Sequence, residues 1–184
     1  VYSPMGSGLL TGAFDHERLH ARIGYVYDQA APIGEVILGA PHSQSMRVKV
    51  HGRAAHAGMY PEEGRSAIAA AAKAIADFKL GRVDEETTAN VGVITGGTAG
   101  NIIPEHCSFL ADVRAHDPKK LADLVREMLE SITFAASLED CQVETEVHKS
   151  YNGYRFKRDD DAVRIASSAL ERSGFDPTFP LSGG

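Results

Sequence analysis

Apolar residues alternate with polar ones in several short stretches of this chain, which is the period of a half-buried β-strand. In the first stretch, Met46, Val48 and Val50 are separated by charged side chains. The same alternation recurs over Thr88 to Ile94, Cys107 to Val113 and Cys141 to His148. The pattern therefore predicts four strands within residues 45–150.

Two longer stretches have the spacing of amphipathic helices. The first, predicted over 64–80, is rich in alanine and is followed by Gly81, a residue that commonly lies just past a helix end. The second, over 117–136, begins with Asp117 and Pro118, a good cap and first-turn pair. Its apolar positions recur every three to four residues, at Leu121, Leu124, Val125, Met128, Leu129 and Ile132.

The order strand, helix, strand, strand, helix, strand predicts an α+β fold, the ferredoxin-like βαββαβ domain. We expect a four-stranded antiparallel sheet in the order 4-1-3-2, with both helices on one face. Strands one and four then become neighbours, so Arg47 and Lys49 oppose Glu144 and Glu146. The same order leaves strand two, around 88–94, as an exposed edge. It also separates the two cysteines, Cys107 and Cys141, too widely for a disulfide.

The flanking residues do not fit this module. Residues 1–44 and 151–184 are predicted to be parts of a larger α/β domain into which residues 45–150 are inserted. In these flanks we expect a short strand from Ile23 to Tyr27, a helix over 160–173 and a strand-like segment from Pro177 to Leu181.

Composition narrows the function classes. With 43% hydrophobic and 24% charged residues the chain is ordinary for a globular protein, and its net charge of -6 without a basic patch argues against a nucleic-acid partner. The longest apolar stretch, Ala67 to Ala72, is shorter than a membrane span, which needs about 20 residues. A cytoplasmic protein with reduced cysteines and no membrane partner is expected.

Four local patterns contain candidate functional residues. His56 lies in a glycine-flanked loop, Asn101 in a glycine-rich turn, Arg114 at the end of strand three, and Asp28 after an apolar stretch. Each has an ordinary structural explanation: a surface or capping histidine, an asparagine in a left-handed turn, a solvated charge and a turn residue. Taken singly, they leave a ferredoxin-like domain without an assigned role.

Taken together, several segments resemble the lid domain of metallopeptidases similar to peptidase T, carboxypeptidase G and the desuccinylases. These segments are GRAAHAG (52–58), PEEGRSAI (61–68), TTAN (87–90), GGTAGNIIP (96–104) and ADVR (111–114). In the flanks, GYVYD (24–28) resembles a strand that ends in a metal-binding carboxylate, and Ser182 to Gly184 resembles the start of a Gly-Gly-Ser-Asp loop. The TTAN and GYVYD segments favour the tripeptidase-like branch.

The resemblance implies a peptidase in which two zinc ions activate a water and a glutamate acts as general base. His56 would reach into the neighbouring subunit's site and donate a hydrogen bond to the oxyanion. Asn101 and Arg114 would hold the backbone and the carboxylate of a small peptide. The remaining implied site residues are Gly183 and Gly184 for substrate and Asp28 for metal. A homodimer would form through strand two and the first helix.

One departure from the family pattern concerns catalysis. The family places a Glu-Glu pair just before Gly-Leu-Leu, whereas here Met5 to Ser7 precede Gly8. The other expected metal ligands also fall outside these 184 residues. We therefore expect a fragment that binds no zinc pair and hydrolyses no peptide by itself, with His56, Asn101 and Arg114 exposed and without buried partners.

Two other readings remain at this point. The chain could be a non-catalytic ferredoxin-like module that binds a small ligand or assembles subunits. Alternatively, it could belong to an amidohydrolase that acts on N-acyl amino acids.

Overall fold

The centre of the molecule is a five-stranded antiparallel sheet. The computed structural model describes residues 20–27 and 32–183. In sheet order the strands are β4, β5, β7, β2 and β8. Their bounds are Gly81–Asp84 (β4), Thr87–Gly96 (β5), His106–Ala115 (β7), His42–His51 (β2) and Gln142–Tyr151 (β8).

Two helices cover one face of this sheet. Helix α1 spans Ala67–Asp77 and helix α2 spans Pro118–Leu138. Each begins at a side-chain cap: Ser66 accepts the N–H of Ala69, and Asp117 accepts that of Lys119. The helices pack on alternate strand residues that are almost fully buried, including Met46, Val48, Phe109 and Val113. The opposite sheet face is open and carries the charged residues.

The α+β fold, the placement of both helices on one face and the 4-1-3-2 order of the four expected strands are confirmed. Strand β2 lies between β7 and β8, so the first and fourth expected strands are neighbours. Arg47 and Lys49 pair with Glu146 and Glu144 at 3.9 and 3.8 Å. The two cysteines are free, as expected from the intervening strand.

The expectation of a four-stranded sheet with strand two as its edge was wrong, because a fifth strand, β4, lies outside strand two. Strand β4 pairs with the beginning of β5, over Thr87 to Ala89. Asp84 closes the connecting turn by accepting the N–H of Glu86 at 2.9 Å. Helix α1 ends at Asp77 and not at residue 80 as expected, so Gly81 is not a helix end but the first residue of β4, where its positive φ of 80° lets the chain turn into the strand. Only Asn90 to Gly96 lack a neighbouring strand on that side within the described ranges.

Short elements connect the sheet to the flanks. Strand β1, Gly39–Ala40, pairs with β9, Tyr154–Arg155, and helix α3 spans Asp161–Arg172. Strand β3, Ala55–His56, pairs with β6, Ile102–Ile103.

Two flank expectations need correction or refinement. The strand expected from Ile23 to Tyr27 is not formed, because no described residue pairs with it, and Val26 is 90% exposed. The segment from Pro177 to Leu181 is strand-like only at two isolated parallel bridges, Thr178 with Glu35 and Leu181 with Gly39. In the part of the chain described here, no helix is long and apolar enough to span a membrane.

Candidate functional site

His56 and Asn101 lie side by side at one end of the sheet. Strand β3 ends at His56, which pairs with Ile102 of β6, and the N–H of Ala57 donates to the carbonyl of Asn101 at 2.9 Å. Both residues are exposed, as expected. Two segments that are distant in sequence thus bring the backbones of His56 and Asn101 close together, and both residues lie at the surface.

Backbone hydrogen bonds hold the base of the loop that carries His56, formed by residues 52–53 and 65, which we call its root. Gly52 donates to the carbonyl of Glu105 at 2.7 Å, and the backbones of Arg53 and Arg65 exchange two hydrogen bonds of 2.9 Å. A Cβ on Gly52 would overlap the carbonyl oxygen of Arg65, so no other residue fits without a backbone shift. These backbone contacts position the loop independently of its side chains.

Arg65 adds a side-chain clamp to this root. Its Nε donates to Asp140 at 2.8 Å, and its Nη1 donates to the carbonyls of Glu62 and Gly64 at 3.0 and 2.8 Å. The clamp joins the His56 loop to Asp140, two residues past the end of α2. Sequence reasoning missed this role, because Asp140 is 75 residues from Arg65 and no local pattern links them.

The imidazole of His56 is held by its own turn. The N–H of Gly58 donates to Nδ1 of His56 at 3.2 Å. The N–H groups of Met59 and Tyr60 both donate to the carbonyl of His56, at 3.2 and 3.0 Å. The ring therefore has one nitrogen engaged internally, while its Nε2 has no hydrogen bond to any described residue.

Arg114 occupies a different environment at the other end of the sheet. Its Nε donates to Asp112 at 2.6 Å, and its Nη1 donates to the carbonyl of Gly183 at 3.3 Å. The side chain is 31% exposed. The expectation that Arg114 is exposed was therefore wrong, because the return segment, residues 182–183, packs against this end, although its partners Asp112 and Gly183 are not buried, as expected.

Asp112 is fixed in turn by Ser43, whose buried hydroxyl donates to the second carboxylate oxygen at 3.3 Å. Register places Ser43 directly opposite both Arg114 and Tyr151, so these side chains share one sheet face. The pKa of Arg114 is raised above its ordinary value, mainly by the hydrogen bond to Asp112. The guanidinium is thus a fixed cation.

His116 makes a second contact with the return segment. Its Nε2 lies 3.0 Å from the carbonyl oxygen of Ser182, and its backbone N–H donates to the carbonyl of Glu86 at 3.2 Å. Together, Arg114 and His116 hold two successive carbonyls. Sequence reasoning missed His116, which follows the ADVR segment without belonging to it.

The two groups of residues are far apart within one chain. His106 of β7 lies opposite His51 at the end near His56, and Arg114 lies opposite Ser43 at the other end. Arg114 is eight residues beyond His106 on β7, which at about 3.3 Å per residue is roughly 26 Å. His56 and Asn101 therefore share one end of the sheet, and Arg114 and Gly183 share the other.

The expected metal ligand Asp28 and the expected substrate-binding Gly184 lie outside the described residues. Within residues 20–27 and 32–183, no group of three or more His, Cys, Asp or Glu side chains could hold a metal ion. The described residues alone thus do not fit a metal centre, and their available chemistry is hydrogen bonding and ion pairing.

Comparison with known proteins gives consistent matches. Residues 39–136 match the family described as the peptidase dimerisation domain. The chain is similar to the solved structures of aminopeptidase PepT from Bacillus cereus ATCC 10987 (39% identity, TM-score 0.87) and of a tripeptidase from Staphylococcus aureus subsp. aureus Mu50 (37%, TM-score 0.91). It is also 37% identical over 179 residues to the uncharacterised protein YqjE of Bacillus subtilis (strain 168). Each match covers 97% of this chain but only 48% of the relative, so the chain spans about half of their length.

Proposed function

The chain belongs to the M20 peptidase family through its peptidase dimerisation domain, and from this premise we propose that it is the lid and dimerisation part of a dimeric, zinc-dependent exopeptidase acting on di- and tripeptides. The similarity to an aminopeptidase and a tripeptidase supports this substrate class. Because the chain spans about half of those proteins, the activity, substrate, partner and cytoplasmic location of the whole protein are all parts of the proposal.

One observation carries the proposal: the separation of the two residue groups. A tripeptide extends only about 10 Å, whereas the His56 end and the Arg114 end are separated by roughly 26 Å along β7. No single chain can place both groups on one small peptide. Two chains can, if the His56 end of one subunit enters the site to which the other subunit contributes Arg114.

At the His56 end the proposed role is hydrogen-bond donation. The ring of His56 would stabilise the oxyanion that develops at the scissile carbonyl. The carboxamide of the adjacent Asn101 would bind the substrate backbone. Both side chains are exposed, which suits groups whose partners come from outside the chain.

At the Arg114 end the proposed role is recognition of the substrate carboxylate. A guanidinium has five N–H donors, and Asp112 and Gly183 use one each. Donors thus remain for a carboxylate, and the arginine is already oriented when substrate arrives. Gly183 and Gly184 would line the same subsite with their backbone.

The metal chemistry belongs to the rest of the proposed enzyme. M20 family peptidases are generally metal-dependent, and two zinc ions would activate the attacking water. Asp28 is the only ligand proposed from this chain. We accordingly propose that the 184 residues alone hydrolyse no peptide and assign them only binding, hydrogen bonding and assembly.

The proposed dimer contact is the open part of β5 together with α1. Ile94 lies on the helix side of this edge and is 53% exposed, and Ile68 of α1 is 39% exposed. Pairing of Asn90 to Gly96 with the same segment of a second copy would cover both and satisfy the unpaired backbone groups.

Sedimentation velocity with charged edge variants tests the dimer. Ile94→Lys should give a monomer at micromolar concentrations, because a lysine in the contact would be buried beside its own symmetry mate. Val147→Lys is the matched control, since Val147 lies on the helix side of the opposite edge strand and is 39% exposed. A dimer that survives Ile94→Lys, or an unsubstituted chain that is always monomeric, would exclude this contact.

The catalytic role is tested in the full-length protein that contains this chain. His56→Ala should lower kcat for a tripeptide by about 100-fold, which corresponds to removal of one oxyanion donor. The zinc content should not change. If kcat is unchanged, His56 has no part in catalysis.

A further inference from the structure

One ring nitrogen of His56 is occupied by the backbone of its own turn. The N–H of Gly58 donates to Nδ1 at 3.2 Å. A neutral imidazole carries its single proton on one nitrogen and accepts at the other. A nitrogen that accepts from a backbone N–H cannot itself carry the proton, so the proton of neutral His56 lies on Nε2.

Three other backbone hydrogen bonds hold the turn that directs the Gly58 N–H towards the ring of His56. Met59 and Tyr60 donate to the carbonyl of His56, which closes the turn, and Ala57 donates to Asn101, which attaches the turn to β6. A Cβ added at Gly58 would lie 3.7 and 3.8 Å from ring atoms of His56, which is ordinary contact. The contribution of Gly58 is therefore its N–H, not its lack of a side chain.

We propose that Gly58 is a positioning residue whose backbone N–H holds neutral His56 in the Nε2–H tautomer, so that the lid presents a hydrogen-bond donor to the substrate. The inference rests on the proposed role of His56 and specifies its chemistry. In this tautomer Nε2 has no free lone pair, and the ring cannot act as a general base at its exposed end.

The tautomer can be observed directly in the 184-residue chain. In ¹⁵N-labelled protein at about pH 8.5, well above the ordinary histidine pKa of about 6.5, long-range ¹H–¹⁵N correlations distinguish protonated from unprotonated ring nitrogens. We expect Nδ1 of His56 to have the unprotonated signature and Nε2 the protonated one. A scalar coupling between the Gly58 nitrogen and Nδ1 would report the hydrogen bond itself. A protonated Nδ1, or no such coupling, would overturn the proposal.

Two substitutions at Gly58 distinguish the effect of its backbone N–H from the effect of the turn conformation. Gly58→Ala keeps the N–H and should leave the ring shifts of His56 unchanged. Gly58→Pro removes the N–H and should move those shifts towards the average of the two tautomers that an exposed histidine samples. If the proline variant loses the turn altogether, the coupling in the unsubstituted chain still decides the question.

Activity measurements on the full-length protein distinguish an error in the assigned tautomer from an error in the proposed role of His56. A glutamine amide can place an N–H near the position of Nε2, so His56→Gln should retain at least tenfold more kcat than His56→Ala. Equal loss in both variants would argue against a donor role. If His56→Ala has no effect while the ring spectrum is as expected, the tautomer stands and the proposed function fails. If His56→Ala removes activity while the coupling is absent, the function stands and Gly58 has no part in it.

Discussion

The two ends of the sheet hold their candidate site residues in opposite ways. At the His56 end the backbone is fixed by hydrogen bonds between loops, and the side chains of His56 and Asn101 extend into solvent. At the Arg114 end the side chain itself is fixed, by Asp112 and by Gly183. The difference is consistent with the proposed function, in which the Arg114 end completes a site in its own chain and the His56 end contacts the other subunit.

The same contrast extends to the residues that support each end. Arg65 clamps backbone carbonyls and leaves the tip of the His56 loop free. Ser43 and Asp112 restrict the guanidinium directly, and His116 secures the neighbouring carbonyl of Ser182. The His56 end thus has a fixed backbone and exposed side chains. At the Arg114 end, the side chains are hydrogen-bonded to one another and to the return segment.

The largest expected effect is at the root of the His56 loop. Gly52→Ala should destabilise the chain by about 3 kcal/mol, because the new Cβ would overlap the carbonyl oxygen of Arg65. Relief of this overlap requires the backbone itself to move, which costs free energy. Urea unfolding measures the loss, and hydrogen exchange at Ala57 should show the loop opening. Gly100→Ala is the control, since nothing lies within 4 Å of its Cβ. Equal stability of the two variants would show that the root is not rigid.

An intermediate effect is expected from the carboxylate that orients Arg114. Asp112→Ala should cost about 1.5 kcal/mol, because it removes the carboxylate to which both the half-buried guanidinium and the buried Ser43 hydroxyl donate. Asp123→Ala removes an exposed carboxylate that pairs with Arg126 on α2, and it should cost less than about 0.5 kcal/mol. Thermal and urea unfolding of both variants give the comparison. Similar losses would mean that the Arg114 network is no stronger than a surface ion pair.

The smallest effect concerns pH and the β4–β5 hairpin that flanks the Arg114 end. Lys120 donates to Asp84 at 2.8 Å and, with the N–H of Glu86, lowers the pKa of Asp84 from 3.8 to about 2. Because the folded pKa is depressed, this contribution is complete above about pH 4 and is lost as the pH falls towards 2. The stability difference between the unsubstituted chain and Asp84→Asn should therefore shrink across that window. Lys120→Gln should reduce the same pH dependence without abolishing it, because the N–H of Glu86 still binds the carboxylate. An unchanged slope in either variant would contradict the assignment.

Much of the fold was predictable because the relevant signals are local. Alternation at Met46, Val48 and Val50 identified a strand with one buried face, and the cap expected at Asp117 lies where helix α2 begins. The short strand β4 was missed because Gly81 was taken only as a helix end, and four residues are too few for a period to be seen. The strand expected at 23–27 failed for the opposite reason: its local pattern is strand-like, but no described residue pairs with it.

The candidate site likewise combines features that the local sequence predicts with features that it does not. The sequence by itself determined which residue types stand at positions 56, 101 and 114, and the period of the strands around them. Only the tertiary structure decided which of these residues are neighbours, because the pairing of β3 with β6 brings the backbone of His56 close to that of Asn101, and the return segment brings Gly183 to Arg114 across 69 residues. Local patterns depend on the side-chain period, which any short window of sequence contains. Register and long-range contacts depend on the packing of the whole sheet, which no window contains.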